Sequence, residues 1–274
     1  MSNSTDRSFV ATDNAIADLV RLMQRLRDKE TGCPWDVEQT FESILPYTLE
    51  EAYEVAEAIE RKDMEELKSE LGDLFLQVVF HSQIAEDAGI FTIHDVARAI
   101  VDKMVNRHPH VFGSIDIESA EAQTTHWEAL KAKEREAAQT DNTPVSALDG
   151  VASALPALTR SEKLLKRAAR TGFDWPSTED ILEKLHEELS ELEEASKSGD
   201  KTHIEEEMGD VLLVVANLAR KHGVDPEAAL RGANSKFKKR FVEMELAARN
   251  DGNVFKELDL DAQKALWQRA KQAD

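Results

Sequence analysis

The sequence predicts an all-α protein built as two tandem bundles of the four-helix type. Three observations carry that expectation. The 274 residues hold only 11 glycines and 7 prolines, few turn-formers for a chain made of short strands. Apolar residues recur at three-and-four spacing, and nothing alternates like a series of strands and hairpins. The chain also repeats itself: EEAYEVAEA at Glu50–Ala58 returns as EELSELEEA at Glu187–Ala195, and ELGDL at Glu70–Leu74 as EMGDV at Glu207–Val211, both 137 positions on.

Ala15–Arg27 spaces Ile16, Leu19, Val20, Met23 and Leu26 as one helical face, and Gly32-Cys33-Pro34 stops it. A second helix is expected after Pro46, with Leu49, Ala52, Val55 or Ala56, and Ile59 on its apolar side. Lys62-Asp63 reverses the chain, Asp63 serving as N-cap with Glu66 as its capping-box partner. The third helix runs to about Ala88, where Gly89 ends it. Its Leu74–Phe80 stretch is apolar nearly all round and is expected at the centre of the bundle. Thr92 opens a fourth helix, as Asp225-Pro226 does in the second half. Glu134–Gly150 is polar and aperiodic, so the chain divides into domains at 14–135 and 151–274 joined by a linker at 136–150.

Charge and composition exclude several classes. With 34 basic against 54 acidic residues the net charge is −20, which argues against binding in a nucleic-acid groove. No run of about 18 apolar residues exists to span a membrane, and Met1–Asp13 lacks the order of a secretory signal. The single cysteine, Cys33, forms no internal disulfide and fits a reducing, cytoplasmic setting. It sits between Gly32 and Pro34 without an evident His partner, so it is read as structural.

The carboxylates carry the chemistry. Glu51 and Glu54 lie on one helix face, and Glu70 and Asp73 pair on the next. A short corner sets these helices antiparallel, so the four groups converge and need a compensating cation. Glu188, Glu191, Glu207 and Asp210 repeat the quartet. An all-oxygen set suits Mg²⁺, with Mn²⁺ as substitute. Glu57, Glu60, Glu65 and Glu194 are read as solvated. A di-iron site needs two Glu-x-x-His elements; only Glu183 and His186 fit, and their repeat counterparts are Pro46 and Leu49, which disfavours it.

EExxE followed after fifteen residues by ExxD resembles the MazG family of all-α nucleoside triphosphate pyrophosphohydrolases, as do GCPWD at Gly32–Asp36, RHPHVFG at Arg107–Gly113 and TGFDW at Thr171–Trp175. The resemblance covers nearly the whole chain and its tandem arrangement. It implies Mg²⁺-dependent cleavage of a nucleoside triphosphate to a monophosphate and pyrophosphate. It also implies Mg²⁺ ligation by both quartets, a homodimer, and the second half as principal hydrolase. Glu187, Glu188 and Glu191 are its catalytic candidates, Glu187 and its counterpart Glu50 ligating, orienting a water or holding a lysine. Lys236 and Arg240, four apart on one face, recur 133 positions earlier as Lys103 and Arg107 and are candidates to clamp phosphates. Lys184, one turn before Glu188, is a further candidate, although its counterpart is Tyr47. Trp267, matched by Trp127, stacks on the base or packs in the core; Trp35 and Trp175 are packing or pocket-wall residues. His108 and His110 mark a helix end.

The expected reaction is metal-assisted hydrolysis, a spare carboxylate taking the proton of the attacking water while Lys and Arg meet the developing charge. A base-tolerant pocket would suit nucleotide-pool housekeeping, ATP included. The alternative is that one or both halves bind a nucleotide or partner without catalysis.

Overall fold

A computed structural model describes residues 9–114, 119, 122–123, 126–127, 130 and 146–273, and among these all regular structure is helical. The chain divides into two compact units, Met1–Leu130 and Lys131–Asp274. Of the expected linker, residues 136–145 lie outside the described residues.

In the first unit, α1 (Ala15–Leu26) is capped by Asn14, which accepts from the Ala17 amide. The chain then doubles back so tightly that a Cβ on Gly32 would stand 2.4 Å from the Leu26 carbonyl oxygen, which only glycine tolerates. Pro34 is the first residue of the short α2 (Pro34–Glu38). Helix α3 (Phe41–Arg61) begins well before the expected start after Pro46. Thr40 and Ser43 close a reciprocal capping box there, and Pro46 is carried inside the helix at the loss of one amide donor. Lys62 in the left-handed conformation (φ 58°) turns the chain into α4 (Met64–Asp87). Asp63 caps α4 by accepting from the Glu66 amide, but the Glu66 carboxylate pairs with Arg61 and does not close the expected box. Gly89 (φ 68°) follows the end of α4. A Thr92–Asp95 capping box opens α5 (Ile93–Arg107), and α6 (Pro109–Phe112) follows. The reversal at His108, whose Nδ1 lies 2.7 Å from the Met104 carbonyl oxygen, is the expected helix end.

The second unit contains α7 (Ala157–Arg170), α8 (Thr178–Ser198), α9 (Lys201–Lys221), α10 (Pro226–Asn250), a 3₁₀ turn at Phe255–Glu257 and α11 (Leu260–Ala273). Ser177 and Asp180 box the start of α8, Gly199 (φ 74°) turns into α9, and Asp225 with Pro226 opens α10.

Each unit is organised around one long antiparallel pair, α3 with α4 and α8 with α9, with α1 laid on α4 and α7 on α9. The first core gathers Met23, Ile44, Val79, Phe80 and Ile84; another, between α10 and α11, gathers Met244, Ala248, Leu266 and Ala270. Large side chains among these contribute roughly 1.5–3 kcal/mol each by leaving water.

The inward face of α3 is not the one that apolar counting selects. Leu49 and Ile59 are exposed, whereas Ile44, Thr48, Glu51, Val55 and Ala58 run inward at four-and-three spacing. The same stripe recurs on α8 as Ile181, Leu185, Glu188, Leu192 and Ala195. Nor is Leu74–Phe80 central all round: Gln77, Val79 and Phe80 are buried, but Phe75 and Val78 are exposed.

Candidate active site

A glutamate therefore interrupts each inward stripe. Glu51 and Glu188 hold positions where Ile44 and Ala58, or Ile181 and Ala195, are buried above and below on the same face. On the partner helices Glu70 and Glu207 likewise face inward, one turn before Leu74 and Val211. Asp73 and Asp210 lie one step round, at the exposed rim. Because the corner makes the pairs antiparallel, these acids meet. Carboxylate oxygens of Glu51, Glu70 and Asp73 lie within 4.8 Å of one another, and so do those of Glu188, Glu207 and Asp210.

Glu54 and Glu191, the fourth members, are exposed and stand outside those close groups. They remain electrostatic neighbours. Burial, then the charges of Asp73 and Glu54, push the Glu51 carboxyl above its ordinary value. Glu70 is raised by loss of water and by Glu54 and Asp73, with Arg61 opposing. Glu191 is raised by the same loss and by Glu188 and Glu207. Carboxylates that repel one another in this way call for a cation. Hard-cation oxygen ligands at about 2.1 Å can stand no more than about 4.2 Å apart, so groups already within 4.8 Å fit a small divalent ion after slight contraction. His186, the histidine of the single di-iron-like element, turns its Nδ1 to the Leu182 carbonyl at 2.6 Å and takes no part in either group.

The two groups differ in their neighbouring cations. Lys184 Nζ reaches Glu187 Oε1 at 2.7 Å and Glu188 Oε1 at 2.8 Å, and these two carboxylates hold the ammonium well above its usual pKa. His203 Nε2 lies 3.1 Å from Glu207 Oε1. Sequence reasoning missed His203, although its place one turn before Glu207 was the available signal. In the first unit Tyr47 stands in place of Lys184, edge-on to Trp35 with ring centroids 6.2 Å apart, and Arg61 pairs with Glu66.

The remaining candidates lie on other helices. Lys103 and Arg107 are on α5. Lys236, exposed, and Arg240 are on α10. The Arg240 guanidinium lies 5.5 Å over the Trp267 ring, which also meets Phe237 at 5.7 Å and packs against the core between α10 and α11. Trp127 donates its indole N–H to the Arg107 carbonyl (2.9 Å) and meets His108 edge-on. Trp35 packs on Phe80 and Tyr47 as a half-exposed wall, and Trp175 meets Phe173. Cys33 holds the N-cap position of α2 without a side-chain bond to the helix, and its thiol is free.

Comparison with known proteins gives these groups a context. The family model of the MazG nucleotide pyrophosphohydrolase domain matches residues 39–112 and 176–243, so both quartets and both Lys–Arg pairs fall inside it. The nucleoside triphosphate pyrophosphohydrolase of Escherichia coli K12 is 44% identical over 263 residues, which cover 95% of this chain and 98% of that one. A Thermotoga maritima protein named nucleoside triphosphate pyrophosphohydrolase/pyrophosphatase MazG is 43% identical over 257 residues, 94% of this chain and 96% of its own. The nucleoside triphosphate pyrophosphohydrolase of Mycobacterium tuberculosis is 42% identical over 160 residues, 58% of this chain and 46% of its own.

Proposed function

The chain belongs to the MazG nucleotide pyrophosphohydrolase family, and from that premise we propose that it hydrolyses nucleoside triphosphates to monophosphates and pyrophosphate with Mg²⁺, principally in its second unit. The observation that carries this reading is the meeting of Glu188, Glu207 and Asp210 on the facing sides of α8 and α9. Those three side chains would hold the ion, which supplies charge neutralisation at the phosphate oxygens when bound. Glu191 remains at the rim to accept the proton of the attacking water, its raised carboxyl being a better base than an ordinary glutamate. Glu187 holds Lys184 in place. Lys184, Lys236 and Arg240 meet the phosphates, Arg240 offering a planar fork, and Trp267 stands beside Arg240 at the base end. Stacking on an aromatic ring tolerates any base, which suits housekeeping of the nucleotide pool.

The first unit, with Tyr47 where Lys184 would be, is read as a weaker hydrolase or a non-catalytic binder. Domains at 14–135 and 151–274 with a linker at 136–150 remain our division of the chain. A homodimer is supported by a repeated exposed apolar stripe, Leu71, Phe75 and Val78 on α4 and Met208, Leu212 and Val215 on α9. No helix among the described residues is long and apolar enough to cross a membrane; a cytoplasmic location is our reading.

The test is product analysis with nucleoside triphosphates and Mg²⁺. Monophosphate and pyrophosphate in equal amounts, abolished by EDTA and restored by Mg²⁺, are expected. Orthophosphate as first product, or turnover indifferent to EDTA, would refute the reading.

A further inference from the structure

Lys184 and Tyr47 occupy equivalent positions, so the two carboxylate groups differ by one full charge at the same place. Glu188 is only 5% exposed, and burying a carboxylate is costly unless a cation accompanies it. Lys184 is that cation, with Nζ 2.8 Å from Glu188 Oε1 and its side chain one-third open to solvent. In the first unit Glu51 forms no ion pair among the described residues, and the nearby Arg61 is engaged by Glu66 and Glu57. The first group thus has no cation paired with Glu51, Arg61 acting only on Glu70 without an ion pair to it, whereas the second already carries a counter-charge on its most buried member.

Resting on the assignment of a divalent ion to these acids, we propose that Lys184 is a resident counter-cation of the second group. A divalent ion and the Lys184 ammonium compete for Glu188, and the phosphates of a nucleotide are the alternative partner that draws the lysine away. Ion and nucleotide therefore load together in the second unit, while the first unit takes up an ion alone. The lysine stem is flexible and its head compact, so the exchange needs a rotamer change and no movement of α8.

The experiment is Mn²⁺ binding to the full chain by electron paramagnetic resonance at pH 8, without nucleotide. A Glu51→Gln background silences the first group so that the second is counted alone. Lys184→Met is expected to tighten Mn²⁺ binding there by about tenfold, the effect of removing one nearby positive charge. Lys184→Arg keeps the weak binding of the parent. Conversely, Tyr47→Lys in a Glu188→Gln background weakens Mn²⁺ at the first group by a similar factor, and because Tyr47 is exposed this variant tests the idea without disturbing the core. Unchanged or weaker binding in Lys184→Met, or arginine behaving as methionine does, would overturn the proposal. No Mn²⁺ binding in any variant would overturn it together with the metal assignment. The expected shift in a protein that releases no pyrophosphate would uphold it and reject only the assigned reaction.

Discussion

The two halves solve the same structural problems with different residues. At the corner between the paired helices the first unit places Lys62 in a left-handed conformation, and the second places Gly199 at the equivalent position. Ahead of the α3 helix, Arg27 at the end of α1 bridges Asp87 on α4 (2.8 Å) and the Asp36 and Gln39 carbonyls. Ahead of α8 the polarity is reversed: the loop supplies the anion, Asp174, and the end of α9 supplies Arg220 and Lys221. Both arrangements tie the segment leading into one carboxylate-bearing helix to the far end of the other. The carboxylates, by contrast, keep their places in both halves, while Lys184 and His203 appear only in the second. What varies freely is support; what recurs is the acid group; what distinguishes the halves chemically is the added cation.

The largest expected effect breaks the symmetry directly. Glu191→Ala should lower pyrophosphate release by about a hundredfold or more, as loss of a group acting in the transition state does. Glu54→Ala should leave most of it, read in the same product assay. Equal losses would mean two working sites, and the reverse ranking would move catalysis to the first unit.

The legibility of the sequence follows the same division. Caps and corners were readable at Thr92, Gly89, Asp63 and Asp225, because each rests on a local hydrogen bond or backbone preference. The start of α3 was not, since Thr40 is boxed by Ser43 rather than by Glu or Gln and Pro46 reads as a start. The buried side of α3 was misread for a functional reason. Its inward stripe carries Thr48 and Glu51, so counting apolar residues favours the opposite face with Leu49 and Ile59. The spacing of the acids identified the quartets, but which three meet, and which lysine sits on them, depends on side-chain directions that spacing alone leaves open.

The corner pair gives the next effect. A non-glycine residue in left-handed backbone costs roughly 1–2 kcal/mol. No atom would lie within 4 Å of a Cβ on Gly199, so Gly199→Ala should cost about 1 kcal/mol from backbone preference alone. Lys62→Gly should gain a similar or smaller amount. Urea unfolding followed by circular dichroism checks both, and a loss on Lys62→Gly would show that the lysine side chain contributes more than its backbone strain costs.

Acid should separate the loop ties. Burial raises the Asp174 carboxyl, but its bonds from Arg220 and Lys221 outweigh this and leave it below its ordinary 3.8. A lowered folded-state value stabilises above the unfolded value and is lost as pH falls below 3.8 through the folded one. Asp174→Asn should therefore flatten the acid dependence of second-unit melting in that window, with a modest effect because the pair is partly solvated. Smallest of all, Glu65→Ala should shift stability by no more than about 0.5 kcal/mol, since its pairing with Lys68 lies fully at the surface.

The glutamates set into the inward stripes have a consequence for the energy landscape. Folding must bring Glu51 to Glu70, and Glu188 to Glu207, against their mutual repulsion at positions where leucine would be welcome. These are frustrated contacts, retained inside an otherwise consistent pattern. Leucine at 51, where no cation pairs with the glutamate, should thus raise stability in urea unfolding while disabling its group; at 188 the Lys184 pair offsets part of the repulsion. The expected deficit in stability is concentrated where the chemistry is, and falls more heavily on the first bundle than on the second.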